Sequence, residues 1–117
     1  MATSAADTAE HLRARAAEKA RAAAERASRL RESVPNAAAL LRSRYGARDV
    51  VLFGSLATGA FDDRSDVDLA VRGVAASDYF AALADLMALF AGPVDLVRLE
   101  QAPPSLAARV AAEGEAL

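Results

Sequence analysis

The chain contains no cysteine. Disulfides and thiolate metal sites are therefore excluded, and nothing points to an oxidising compartment. No apolar stretch approaches the roughly 20 residues that a membrane span requires. The N-terminus alternates charge with alanine and lacks the apolar core of a signal peptide. A cytoplasmic protein without membrane contact is the expectation. Large core side chains are also in short supply: hydrophobic residues make up 54% of the 117 positions, but alanine supplies much of that share. A chain of this length forms one small domain.

Charge of one sign is scarce in each half. Residues 1–48 hold ten Lys/Arg and five Asp/Glu, for +5; residues 49–117 hold four Arg and eleven Asp/Glu, for −7. The basic half could face an anion, but Glu10, Glu18, Glu25 and Glu32 are interleaved with its cations. That pattern suits a solvated helix with i, i+4 pairs better than an anion groove. Direct nucleic-acid binding is not expected.

Residues 7–32 read as one long helix, with Asp7 or Thr8 as its cap. Leu12, Ala16, Ala20, Ala23, Ala27, Leu30 and Val34 form a narrow apolar stripe that could pair with another copy or another protein. Pro35 predicts a break, and Asn36 a cap for a second helix to about Tyr45, stopped by Gly46. Strands are expected at 48–53, 65–72 and 94–99. Between the last two, a helix capped by Ser77 or Asp78 would run to Phe90 and place Phe80, Leu83, Leu86, Met87 and Phe90 on one side. A terminal helix spans Ser105 to about Glu113. The expected fold is α/β (α+β): a small mixed sheet of about three strands with packed helices, preceded by a long N-terminal helix. We divide it into an extension, 1–34, and a domain, 35–117.

The chemistry concentrates in residues 54–68. Gly54-Ser55 follows the apolar run Val50-Val51-Leu52-Phe53, and ten residues later come Asp66 and Asp68. Strand side chains alternate faces, so Asp66 and Asp68 would share one face and Val67, Leu69 and Val71 the other. Two adjacent carboxylates repel unless a cation lies between them. A divalent cation with carboxylate and phosphate oxygens is the chemistry of nucleotide transfer. Gly54 lets a ligand approach the backbone, and the amides after it, with the Ser55 hydroxyl, can hold phosphate oxygens. Asp62 and Asp63 read as loop carboxylates, Tyr45 and Tyr79 as packing residues, and His11 as a solvated side chain.

Gly-Ser, ten residues, then Asp-x-Asp resembles the signature of DNA polymerase β-like nucleotidyltransferases. Leu52-Phe53-Gly54-Ser55, Gly59 and Ser65-Asp66-Val67-Asp68-Leu69 resemble its minimal nucleotidyltransferase (MNT) branch, as does the ending Arg109 to Leu117. The resemblance covers about 40–117. It implies that Asp66 and Asp68 bind two Mg²⁺ ions holding a triphosphate, and that Asp95, in Val94-Asp95-Leu96-Val97, is the third metal-binding and catalytic carboxylate. Gly54 and Ser55 would bind the nucleotide. Small MNT proteins are typically antitoxins paired with a HEPN ribonuclease toxin, and members transfer AMP from ATP to a toxin tyrosine. The implied protein is thus a Mg²⁺- and ATP-dependent protein adenylyltransferase with a HEPN-type toxin as partner.

One departure is visible. Many relatives carry basic residues after Gly-Ser, where this chain has Leu56 and Thr58. An antitoxin that acts by binding, with a weakened site, is the alternative. A transferase acting on a small molecule or RNA is a further one; it would want a substrate-binding domain from another chain.

Overall fold

The computed structural model describes residues 4–117. Helix α1 spans Ala5–Tyr45 without interruption. Ser4 caps it by accepting the Asp7 amide at 3.2 Å, so the cap lies one turn before the Asp7 or Thr8 expected from sequence. Gly46, at φ 72°, closes the other end.

The expected break at Pro35 does not occur. Proline removes one helical donor, here the partner of the Arg31 carbonyl, and its ring crowds the preceding turn. Both Pro35 and Arg31 are exposed, so water can take up the freed carbonyl. Leu30 and Val34 before the proline and Ala37, Ala38 and Leu41 after it are all buried against one core. A bent-away second helix would lose part of that burial, and continuity wins.

The chain then forms β1 (Asp49–Phe53), a single helical turn α2 (Ser55–Thr58), β2 (Val67–Arg72), α3 (Tyr79–Phe90), β3 (Val94–Arg98), α4 (Pro104–Glu113) and β4 (Glu115–Ala116). The sheet has the order β3-β2-β1-β4. β1 pairs antiparallel with β2 and β4, and β2 pairs parallel with β3. The fold class is as expected, with one strand more. A two-residue strand carries no periodic signal. It forms because Gly114 lets the chain close on β1: a Cβ there would lie 2.6 Å from Val51 Cγ1 and 2.3 Å from the Val110 carbonyl oxygen.

The two sheet faces differ. On one, Val50, Leu52, Val67, Leu69, Val71 and Leu96 pack against α1 and α3. On the other, Phe53 and Ala70, with Val51 and Val97, pack under Val110 and Leu106 of α4. Helix α3 is rotated from the expected face. Ala82, Leu86 and Phe90 are buried, while Phe80 and Met87 are 80% and 43% exposed. Phe80 and Met87 sit at the edge of the apolar stripe, about 100–120° from its centre at Leu86, and the centre docks. Neither Ser77 nor Asp78 caps this helix through its side chain; a short 3₁₀ turn, Ala76–Asp78, leads into it instead.

The N-terminal stripe divides likewise. Ala23, Leu30 and Val34 are buried, whereas Leu12 is 58% exposed and every residue from Glu10 to Ala22 is exposed. The molecule is accordingly elongated, 63 × 29 × 20 Å. No helix among the described residues is long and apolar enough to cross a membrane.

Candidate active site

Asp68 and Asp95 come together on the α4 face, whereas Asp66 lines a groove against α1. Alternation along β2 turns Val67, Leu69 and Val71 to the α1/α3 core and leaves Asp68 and Ala70 on the other side. In the sheet register Asp68 stands opposite Asp95 on β3 and opposite Phe53 on β1. Asp95 is exposed and Asp68 half-buried, since α4 covers Ala70 but stops short of the strand ends. Asp66 lies just before β2 rather than within it, and its Oδ1 is 3.6 Å from an Arg26 guanidinium nitrogen on α1.

The Gly54-Ser55 turn closes over this pair. Gly54 adopts φ 73°, which favours glycine, and a Cβ there would sit 2.1 Å from Asp68 Oδ2. Only the missing side chain lets the turn lie against the carboxylate. The Gly54 amide donates to Glu113 Oε2 at 3.2 Å, and the same oxygen accepts from Arg109 Nε at 3.2 Å. The Arg109 guanidinium lies 5.6 Å from the centre of the Phe53 ring. Within α2, the Ala57 and Thr58 amides bond the Gly54 carbonyl. The Ser55 and Leu56 amides, as first-turn donors, have no helical acceptor.

Crowding marks the site electrostatically. Burial, and then the Asp95 carboxylate, push the Asp68 carboxyl up to about 6; Arg109 opposes this, and Asp66 and Glu113 reinforce it. Among the described residues no three acidic or histidine side chains converge into a closed metal cage. The donor set, hard carboxylate oxygens on an open shelf, fits Mg²⁺, which is typically held by one or two carboxylates with substrate phosphates completing its shell. Two surface clefts, of about 390 and 400 Å³, lie elsewhere and include none of the three aspartates in their walls.

The remaining polar and aromatic residues singled out in the sequence fall where their chemistry suggested. Asp62 accepts from the Arg64 amide and the Ser65 hydroxyl within its own loop, and these bonds hold its carboxyl below the usual range. Tyr79 donates to the Leu96 carbonyl, and Tyr45 to Asp85. The basic half of the chain pairs across the fold rather than along the helix. Arg26, Arg31 and Arg44 of α1 meet Asp66, Glu115 and Asp85. The one i, i+4 ion pair found among the described residues is Arg109–Glu113. Sequence reasoning missed Arg26, Arg109 and Glu113 as neighbours of the site, because nothing local signals a contact that the sheet and α1 must first create.

Residues 36–117, more than half of the chain, match the family model described as Polymerase beta, Nucleotidyltransferase. The chain belongs to the polymerase β nucleotidyltransferase family, within which it is like the minimal nucleotidyltransferases. A solved structure designated, provisionally, a minimal nucleotidyltransferase is 31% identical with a TM-score of 0.67, over 78% of this chain and 95% of that one. A toxin–antitoxin complex crystallised with AMP-PNP is 28% identical with a TM-score of 0.61, over 68% and 67% of the two chains. A complex of tri-AMPylated Shewanella oneidensis HEPN toxin with MNT antitoxin shares the fold at 23% identity and a TM-score of 0.59, over 74% and 70%. No curated protein matches the chain.

Proposed function

We propose that this protein is a Mg²⁺-dependent adenylyltransferase of the antitoxin type, which transfers AMP from ATP to a tyrosine of a HEPN ribonuclease toxin. The observation that carries the reading is the placement of Asp68 opposite Asp95 and directly beneath the Gly54-Ser55 turn. The likeness to a toxin–antitoxin complex with AMP-PNP supports both the partner class and the nucleotide. In this reading residues 35–117 are the transferase domain and 1–34 an extension.

Asp66 and Asp68 would hold the metal ions with the triphosphate, and Asp95 would complete the set. Bound Mg²⁺ would neutralise charge on the attacking and leaving oxygens. Ser55 and the Gly54 backbone would hold the phosphate chain. The tyrosine oxygen attacks the α-phosphorus, the bond to the bridging oxygen of the β-phosphate breaks, and pyrophosphate leaves. Asp95, exposed at the rim, would take the phenolic proton. An open shelf suits a protein side chain as acceptor better than a small molecule that needs an enclosing pocket.

A second reading, neutralisation by binding alone, is favoured by the α2 turn. It carries no cation, and Leu56 at the position after Ser55 is buried in the core. The discriminating experiment combines Asp66→Asn and Asp68→Asn. Neutralisation lost while the two proteins still bind supports catalysis; neutralisation retained supports binding alone.

A further inference from the structure

Helix α1 begins well before the family-matched residues, and one side chain from that part reaches the candidate site. Arg26 donates to the Ser65 carbonyl at 2.8 Å and approaches Asp66 Oδ1 at 3.6 Å. Its guanidinium also lies 5.1 Å from the centre of the Phe61 ring. These contacts grip both ends of the loop between α2 and β2. Among the described residues, the hydrogen bonds of the middle of that loop run within it, through Asp62 and Ser65.

We propose that Arg26 is a positioning residue, a latch by which the N-terminal helix fixes the loop that carries Asp66. The proposal rests on the nucleotidyltransferase reading and assigns a role to a segment outside the family match. The geometry explains why arginine stands there. A planar fork can bond a carbonyl, face a carboxylate and stack on a ring together, whereas a lysine ammonium offers a point charge and no stacking plane. Asp66 precedes β2, so ladder hydrogen bonds do not hold it as they hold Asp68. The Arg26 contact fixes its carboxylate from outside the sheet. Lys19, two turns earlier on α1, lines the same groove with Asp63 and Asp66 and adds positive charge there. Phe61 also packs against the core, so it anchors the N-terminal end of the loop, and Arg26 is the contact from α1 that holds the Ser65–Asp66 end.

The test uses the full chain with Arg26→Ala and Arg26→Lys. Two measurements are made: amide hydrogen exchange over residues 62–66, and calorimetric binding of AMP-PNP with Mg²⁺. In Arg26→Ala, exchange at 62–66 should accelerate about tenfold while Val67–Arg72 is unchanged, and affinity for AMP-PNP with Mg²⁺ should fall about tenfold, the low end of what losing a partner that orients a metal-binding carboxylate costs. Arg26→Lys should recover part of the affinity. Unchanged exchange would overturn the latch. Faster exchange with unchanged affinity would overturn the positioning role. A wild-type chain that binds no AMP-PNP would sink the nucleotidyltransferase reading and the positioning role with it, while the exchange result would still decide the latch separately.

Discussion

Leu69 and Asp68 are neighbours in β2, yet they face opposite environments. Leu69 is fully buried among α1 and α3 side chains. Asp68 shares the other face with Asp95, Arg109 and Glu113 and has its carboxyl pushed up to about 6. One face is built for stability and holds no polar side chain in its core. The other concentrates like charge at a cost in stability. Such a conflict is what a functional site looks like when local rules are broken for a purpose.

Substitution at these two residues should have opposite signs. Leu69→Ala removes a fully buried side chain and should destabilise by about 2–5 kcal/mol, read from urea denaturation. Asp68→Asn should reduce AMP transfer by about 10²–10³-fold, the usual loss when one charge-stabilising group is removed. It should nevertheless raise the melting temperature of the nucleotide-free protein at neutral pH. The sign follows from the raised pKa. A carboxyl that titrates near 6 when folded and near 3.8 when unfolded favours the folded state while protonated. Its contribution is present below about pH 4 and is lost as pH rises through about 6. The gap between Asp68→Asn and wild type should therefore widen over that window and level off above it. Thermal melts from pH 4 to 8 would show it; a pH-independent gap would mean that Asp68 is not crowded.

Gly54→Ala sharpens the contrast from the other side of the site. The new methyl would meet Asp68 Oδ2 in a backbone conformation that already disfavours a side chain. A loss of about 1–3 kcal/mol is expected from the backbone alone, since φ 73°, ψ −159° is a region essentially reserved for glycine. Nucleotide binding, measured by calorimetry, should fall further than stability does. The smallest effect should come from the end of α3, at a residue that belongs to neither the carboxylate pair nor the buried core. Ala91 closes α3 at φ 55°, the one non-glycine residue with positive φ among those described. Ala91→Gly should stabilise by about 0.5–1 kcal/mol and leave nucleotide binding unchanged.

Much of this is readable in the chain itself. The Gly54-Ser55 turn and the alternation that separates Asp68 from Leu69 follow from turn chemistry and period-2 patterning, whereas the place of Asp95 is implied only by the family resemblance and its pairing with β2 needs the sheet. Local rules fail where tertiary packing outweighs them. Proline should end a helix, but the burial of Leu30, Val34, Ala37 and Leu41 against one core keeps α1 helical through it. Phe80 and Met87 fit an apolar stripe, but the docking face of α3 is centred on Leu86. The interleaved glutamates of α1 suggest pairs along the helix, yet Arg26, Arg31 and Arg44 pair with the acidic half of the chain. The opposing charges of the two halves are thus partly an assembly pattern, which composition shows but local spacing does not resolve.

The most informative single experiment is the intact mass of a HEPN toxin partner after incubation with ATP, Mg²⁺ and this protein. Mass increases of one or more AMP units on a toxin tyrosine are expected with the wild-type chain, appearing about 10²–10³-fold more slowly with Asp68→Asn. An unmodified partner in a mixture where the two proteins demonstrably bind would contradict the adenylyltransferase assignment.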